Sequence, residues 1–437
     1  MKQMLTAVFI ALGFYVLSLL LFTQTQSILI GLVAFLVTLW TNEALPLGVV
    51  SLLPLILFPM FGLVEFKALS ANYAKPIIFL FLGGFMLAIG LQKIGLHRVI
   101  AIKLLNVFPK TPRGIIYALM ITSALLSAFL SNTTITLMLM PISLFLTENT
   151  KLKVRFLLAT AYGASIGGIM TPIGTAPNLL LLGFLEDLHI ATPNFLEWMA
   201  LTSPVVIAML VMVPYILSHG VGKEDIGYHD SHVRALNTQD KKMFTLLGLL
   251  VSMLLLNPFF HLNEKIILMG FGLLLFMPGI DILRWEDSKD IPYEIIFLFG
   301  AGFSIASAFI QTNLAHDMAA LLLKMGDLPL FLMLFLVALF VSFSTEITSN
   351  TALTSIALPI FYEYATMSGV SVELVLFTAT IAASYAFMLP IATPPNAIVM
   401  SSGVIKIKQM ASIGFWVDIL GVAVLSLVAY FYWAKVF

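Results

Sequence analysis

Apolar runs follow one another along almost the whole chain and leave no surface from which a water-soluble fold could be built. Those covering 5–23, 27–41, 46–62, 76–94, 154–187, 200–218, 243–257, 264–279, 293–323, 372–402 and 409–435 read as eleven membrane crossings, each near the ~20 residues a helix needs to span a bilayer. Charged residues make up 10% of the 437 positions, against roughly 25% in a soluble domain, so lipid must replace water as the solvent. The runs are continuous rather than alternating, which excludes a membrane β-barrel. The expected fold class is an all-α polytopic membrane protein. The first run follows only Lys2 and has no small-residue cleavage site after it, so residues 1–26 read as a retained membrane helix and not a signal peptide.

Two further apolar stretches, 115–147 and 329–366, are too long for one crossing, and each carries a polar Ser-Asn-Thr near its middle. A re-entrant hairpin fits them better, because irregular backbone at membrane depth is tolerated only inside protein or along a cavity. Charge placement tests the count. With the N-terminus in the cytoplasm, seventeen of the 22 Lys and Arg fall inside and five outside, the bias expected of cytoplasmic loops. The C-terminus then lies outside. Residues 96–107 read as an amphipathic interfacial helix, and 219–242 as a cytoplasmic connector.

The chain repeats itself at a single spacing of 218 residues. Ile77-Ile78-Phe79-Leu80-Phe81 recurs as Ile295-Ile296-Phe297-Leu298-Phe299, Ser131-Asn132-Thr133 as Ser349-Asn350-Thr351, Pro141-Ile142 as Pro359-Ile360, and Thr175-Ala176-Pro177-Asn178 as Thr393-Pro394-Pro395-Asn396. The spacing covers five crossings, an odd number, so the second copy is upside down relative to the first. The expected halves are 27–218, with hairpin 115–147 and broken helix 154–187, and 243–437, with hairpin 329–366 and broken helix 372–402. Inverted repeats with broken helices characterise secondary transporters, whose substrate sits near the midplane where the repeats meet.

Each Ser-Asn-Thr has a hydroxyl residue four positions before it, Ser127 and Thr345, on the same helical face. Hydroxyl, amide and carbonyl oxygens are hard, neutral ligands suited to a hard cation such as sodium. The alternative is a pair of capped turns, with Asn and Ser capping the returning helix; the matched copies favour ligand duty. At 174–178 and 392–396, Gly and Pro interrupt a span, and Thr followed by Pro starts a new half-helix. Its free N–H groups suit an anion, and the freed carbonyls of Gly174 and Ala392 suit a cation. The alternative there is a proline kink without a ligand. No Lys or Arg lies in either constellation, so a bound cation would complete an anion site. Glu346 reads as a structural acid rather than a proton carrier. Gly83-Gly84 and Gly300 with Gly302 read as close helix contacts.

The paired Ser-Asn-Thr tips, the Thr-Ala-Pro-Asn and Thr-Pro-Pro-Asn breaks, and the Trp40-Thr41-Asn42-Glu43-Ala44-Leu45-Pro46 turn resemble the divalent anion/sodium symporter family. The resemblance implies an elevator-type transporter of the bacterial inner membrane, a homodimer with scaffold and transport domains, carrying C4-dicarboxylates such as succinate, malate or fumarate with Na+. It implies one sodium at Ser127, Ser131, Asn132 and the Gly174 carbonyl, and another at Thr345, Ser349, Asn350 and the Ala392 carbonyl. Substrate carboxylates would meet Asn132, Thr133, Asn350 and Thr351, with Thr175, Thr393 and Pro394 nearby. The alternatives are sodium-independent dicarboxylate exchange and sodium-coupled transport of sulfate or citrate.

Other classes are excluded on residues. The chain has no cysteine, so disulfides and thiolate metal sites are out. Its 22 basic and 22 acidic residues cancel, and nothing in that balance suggests nucleic acid. No G-x-x-x-x-G-K loop is present for ATP. A membrane-embedded enzyme would need a nucleophile or acid/base pair at depth, and none stands out.

Overall fold

A computed structural model describes residues 2–222, 234–260, 262–324, 326 and 328–437, and all regular structure among them is helical. The centre of the expected 219–242 connector, residues 223–233, lies outside the described residues. The helices in chain order are α1 (Lys2–Ser18), α2 (Gln24–Asn42), α3 (Leu47–Leu52), α4 (Pro54–Met60), α5 (Phe66–Asn72), α6 (Pro76–Lys93), α7 (Leu96–Val107), α8 (Pro112–Ser127), α9 (Asn132–Phe145), α10 (Thr150–Gly168), α11 (Ala176–Asp187) and α12 (Phe195–Leu217). After the connector come α13 (Thr238–Phe260), α14 (Glu264–Leu274), a 3₁₀ turn (Trp285–Asp290), α15 (Tyr293–Gln311), α16 (Leu314–Leu323), α17 (Leu330–Thr345), α18 (Asn350–Ser368), α19 (Val372–Ala382), α20 (Pro394–Ser401) and α21 (Ile407–Val428), which continues through a π turn into α22 (Ala434–Val436). Gln24–Asn42, Phe66–Lys93, Phe195–Leu217, Tyr293–Gln311 and Ile407–Val436 are long and apolar enough to cross a membrane.

Helix boundaries obey the 218-residue spacing. α8 and α17 begin and end at matched positions, and α7 and α16, α9 and α18, and α11 and α20 begin at matched positions. The spacing also corrects the sequence reading. The run 293–323 is not one span: α15 stops at Gln311, Asn313 turns the backbone left-handed (φ 59°), and α16 starts. In the first half Gly95 makes the same turn (φ 71°) between α6 and α7. Both residue types tolerate this conformation where most others do not. α16 is therefore the counterpart of the helix expected at 96–107. The run 46–62 likewise splits at Leu53 into α3 and α4, and the run 264–279 is helical only to Leu274.

Some packing depends on bare backbone. Gly83 of α6 meets α14 so closely that an added Cβ would lie 2.5 Å from the Leu268 carbonyl and 2.6 Å from the Met269 nitrogen, and Gly272 of α14 faces Gly83 in return. Gly163 and Gly167 bring α10 against the backbone of α8 in the same way. The halves also interlock, since α9 packs on α20 and α11 on α18. At one rim, α11 is tied by charge: Lys75 pairs with Asp187, and Lys265 of α14 pairs with Glu186 at 2.5 Å.

Gly83→Val should cost about 1–3 kcal/mol through overpacking and lower the thermal midpoint of the purified protein. Gly270→Val is the control, because an added Cβ there meets nothing within 4 Å. Equal midpoints for the two variants would contradict this account of the α6–α14 contact.

Candidate transport site

Two interruptions in the helical ladder define the site. Between α10 and α11, four consecutive carbonyls have no helical partner, and each finds a side chain. Asn178 Nδ2 donates to Gly168 O (3.1 Å) and Thr171 O (2.8 Å), Trp198 Nε1 to Ile169 O (3.1 Å), and Thr202 Oγ1 to Met170 O (3.3 Å). Between α19 and α20 the unwound stretch is longer, and the accounting is the same. Thr345 donates to Ala383 O (3.1 Å), Ser342 to Tyr385 O (3.2 Å), Tyr162 of the other half to Phe387 O (2.8 Å), and Asn396 to Ala386 O (2.9 Å) and Leu389 O (3.0 Å). An unpaired backbone group in an apolar interior costs several kcal/mol, so these donors are what allow the breaks to exist.

The turns at the two Ser-Asn-Thr motifs are fastened to the breaks. In the first half the Thr171 hydroxyl donates to the Ala128 carbonyl. In the second half the matched positions exchange roles: the Glu346 carboxylate accepts the N–H groups of Met388 (2.7 Å) and Leu389 (2.8 Å). Glu346 is thus bonded to backbone.

The predicted ligands fall into place unevenly. Ser127, buried at the end of α8, donates to Asn132 Oδ1 at 2.5 Å, and Thr345, buried at the end of α17, shares its single hydroxyl proton between Ala383 O and the nearer Asn350 Oδ1 at 2.6 Å. Asn132 and Gly174 also converge, since a Cβ built on Gly168 would sit 3.0 Å from Asn132 Oδ1 and 3.1 Å from Gly174 O. In the second half Ala392 is linked to the tip only in steps, its N–H donating to Leu389 O (3.3 Å) while the Leu389 N–H is held by Glu346. Ser131, Asn132, Thr133, Thr175, Ser349 and Asn350 are half-buried, Thr351 and Thr393 buried, and Pro394 exposed.

Capping departs from expectation. Ser131, Thr175, Ser349 and Thr393 do occupy the N-cap positions of α9, α11, α18 and α20, but none makes a side-chain cap bond. Asn132 and Asn350 lie inside their helices, their amide oxygens engaged by Ser127 and Thr345. The other Ser and Thr N-caps among the described helices, Thr23, Thr111 and Ser371, all make the bond. Four helix N-termini thus keep unspent N–H donors beside uncommitted hydroxyls, and the Thr393 hydroxyl is buried with no partner. Such termini attract anions, and the clustered neutral oxygens suit a hard cation.

Sequence reasoning named Asn178 and Asn396 without giving them a task, and missed Trp198, Thr202, Tyr162 and Ser342. The repeat spacing could have flagged the two asparagines; nothing local marks the others.

An all-helical bundle of this kind, with paired breaks of neutral polar lining, is a multi-pass membrane transporter. Solved structures of similar fold are MtrF of Neisseria gonorrhoeae (TM-score 0.57, 12% identity, 84% of this chain and 83% of that one) and the YdaH transporter of Alcanivorax borkumensis (TM-score 0.56, 17% identity, 84% and 88%). Residues 33–382 match the family described as citrate transporter (CitMHS). Relatives named sodium-dependent dicarboxylate transporter SdcS are 34% identical in Staphylococcus saprophyticus, over 95% of this chain and 89% of that protein, and 30% identical in Staphylococcus aureus, over 92% and 85%. The chain belongs to the divalent anion/sodium symporter family.

Trp198→Phe keeps the wholly buried ring and removes only the donor to Ile169 O. It should destabilise the protein by about 1–3 kcal/mol, the cost of a buried acceptor left unpaired, whereas exposed Trp285→Phe should leave the thermal midpoint unchanged.

Proposed function

We propose that this protein is a sodium-coupled symporter of C4-dicarboxylates in a bacterial inner membrane. The observation that carries the reading is the set of four helix N-termini with hydroxyl residues at the cap and no cap bond, in constellations that contain no Lys or Arg. A dianion there can be met only by N–H dipoles, amide and hydroxyl donors, and cations bound alongside it. Sodium at Ser127, Ser131, Asn132 and Gly174 O, and at Thr345, Ser349, Asn350 and Ala392 O, supplies that charge. Asn132, Thr133, Asn350 and Thr351 then take the two carboxylates, with Thr175, Thr393 and Pro394 flanking them. Each ion raises the affinity for the other, which is the thermodynamic content of coupling. The names of the Staphylococcus relatives support both the ion and the substrate class.

In this reading the chain crosses the bilayer eleven times, with the N-terminus cytoplasmic and the C-terminus outside. The pairs α8–α9 and α17–α18 are re-entrant, and the two halves are inverted. A homodimer presents two copies of a transport body that moves as an elevator against a scaffold. Support for a moving body comes from the bonds that tie each turn to its break, and from Tyr162 joining the halves.

The reading is tested in proteoliposomes. An inward sodium gradient should drive uptake of labelled succinate into vesicles that contain none. Uptake that ignores sodium and needs internal dicarboxylate would instead establish exchange. Asn132→Ala and Asn350→Ala should each cut uptake about 100-fold or more, the upper range for losing support in an ion site, with an unchanged chromatographic profile. Wild-type uptake by either variant refutes the site assignment.

A further inference from the structure

We infer that Asn178 and Asn396 are the positioning residues of the two sodium sites, setting the carbonyls of Gly174 and Ala392 without touching ion or substrate; this rests on the sodium-coupled reading above. Both side chains are wholly buried. Both do the same thing: Asn178 Nδ2 bridges Gly168 O (3.1 Å) and Thr171 O (2.8 Å), and Asn396 Nδ2 bridges Ala386 O (2.9 Å) and Leu389 O (3.0 Å). All three positions correspond across the 218-residue spacing. The amide orientation is forced, because carbonyls accept and only the NH2 end can donate to them.

The second carbonyl in each bridge carries the argument onward. Thr171 O also accepts the Gly174 N–H (3.2 Å), and Leu389 O accepts the Ala392 N–H (3.3 Å). One asparagine therefore ties the end of α10 in the first half, or the unwound stretch after α19 in the second, to the residue whose carbonyl is assigned to the cation. In the first half the bridged Gly168 lies at the point where Asn132 Oδ1 and Gly174 O converge. The amide oxygens of Asn178 and Asn396 are buried with no partner. Each asparagine is thus held through its NH2 group alone.

Removing the donor loosens the carbonyl that must be preorganised for the ion, so the loss should appear in sodium affinity. In full-length protein reconstituted beside the wild type, Asn178→Ala should raise the sodium concentration for half-maximal succinate uptake about tenfold, the scale of one to two lost hydrogen bonds. Succinate KM at saturating sodium should move by less than about twofold. The thermal midpoint without sodium should fall, as for any buried acceptor left unpaired, and the rise on adding sodium should shrink as well. Asn396→Ala should repeat the pattern through the other site. Asn178→Ser keeps one donor and should fall between, and it carries the test if the alanine variant does not fold. Unmoved half-saturating sodium and an undiminished rise in midpoint on adding sodium mark a purely structural role and overturn the inference. A wild type indifferent to sodium overturns the coupling reading itself and this inference with it, so the two failures are told apart by the wild-type curve.

Discussion

A carbonyl at membrane depth has no water to turn to, and this protein deliberately frees carbonyls in two places. Every other feature of the site follows from how those groups are satisfied. An intact helix spends its N–H and C=O groups on itself; interrupting it creates acceptors at one edge and donors at the other. The acceptors at Gly168, Ile169, Met170 and Thr171 are met by Asn178, Trp198 and Thr202, and those at Ala383, Tyr385, Ala386, Phe387 and Leu389 by Thr345, Ser342, Asn396 and Tyr162. The donors at the starts of α11 and α20 are left without a side-chain cap. The imbalance is directional: the protein silences the negative edge of each break and leaves the positive edge open. In the proposed reading, that is how a site with no cationic side chain would still favour an anion.

The absence of Lys and Arg has its own logic. A fixed cation near the midplane would bind the anion in every state and would be costly to bury whenever the anion left. Dipoles and neutral oxygens carry little such penalty, so the unloaded site can persist. In the proposed symporter they would hold a dianion weakly by themselves, which is why a co-bound cation would be decisive for affinity. The two halves are not equal in this respect. Where the first has Ala128 and Thr171, the second has Glu346 and Leu389, and the tie between turn and break passes from hydroxyl-to-carbonyl to amide-to-carboxylate. The carboxylate accepts two N–H groups at once, which fits the longer unwound stretch after α19.

Much of this was legible in the sequence because the repeat is strict. Ser-Asn-Thr and the Pro-Asn breaks recur at one spacing, and α8 and α17 share both boundaries at that spacing. The division of 293–323 was missed because apolarity continues through Gln311, Thr312 and Asn313, and a hydropathy run does not register one left-handed residue. Comparison of Asn313 with Gly95 would have found it. Capping was misjudged for a different reason. Ser and Thr before a helix usually close on its first N–H groups, and here they do so at Thr23, Thr111 and Ser371 but not at the four positions facing the breaks. Local sequence cannot distinguish the two groups. Trp198, Thr202 and Tyr162 were invisible because their partners are brought near by tertiary packing alone.

The same bonds decide what can move. Donors to the breaks come from α17 through Ser342 and Thr345, from α10 through Tyr162, and from α12 through Trp198 and Thr202. Gly414 of α21 presses on the backbone of Phe387 and Met388 so closely that no side chain would fit. Shifting any of these helices away from a break would strand buried carbonyls. In the proposed elevator they would therefore travel with the breaks, and relative motion would be taken up elsewhere. The ties from α11 to α6 and α14 are of another kind: Lys75 with Asp187 and Lys265 with Glu186 are ion pairs whose members retain some solvent exposure. Exposed ion pairs contribute little net stability, because water competes for both partners. In the proposed elevator, the boundary of the moving body is thus drawn by hydrogen-bond accounting, running where the contacts between helices can be replaced by water and not where they hold up a broken backbone.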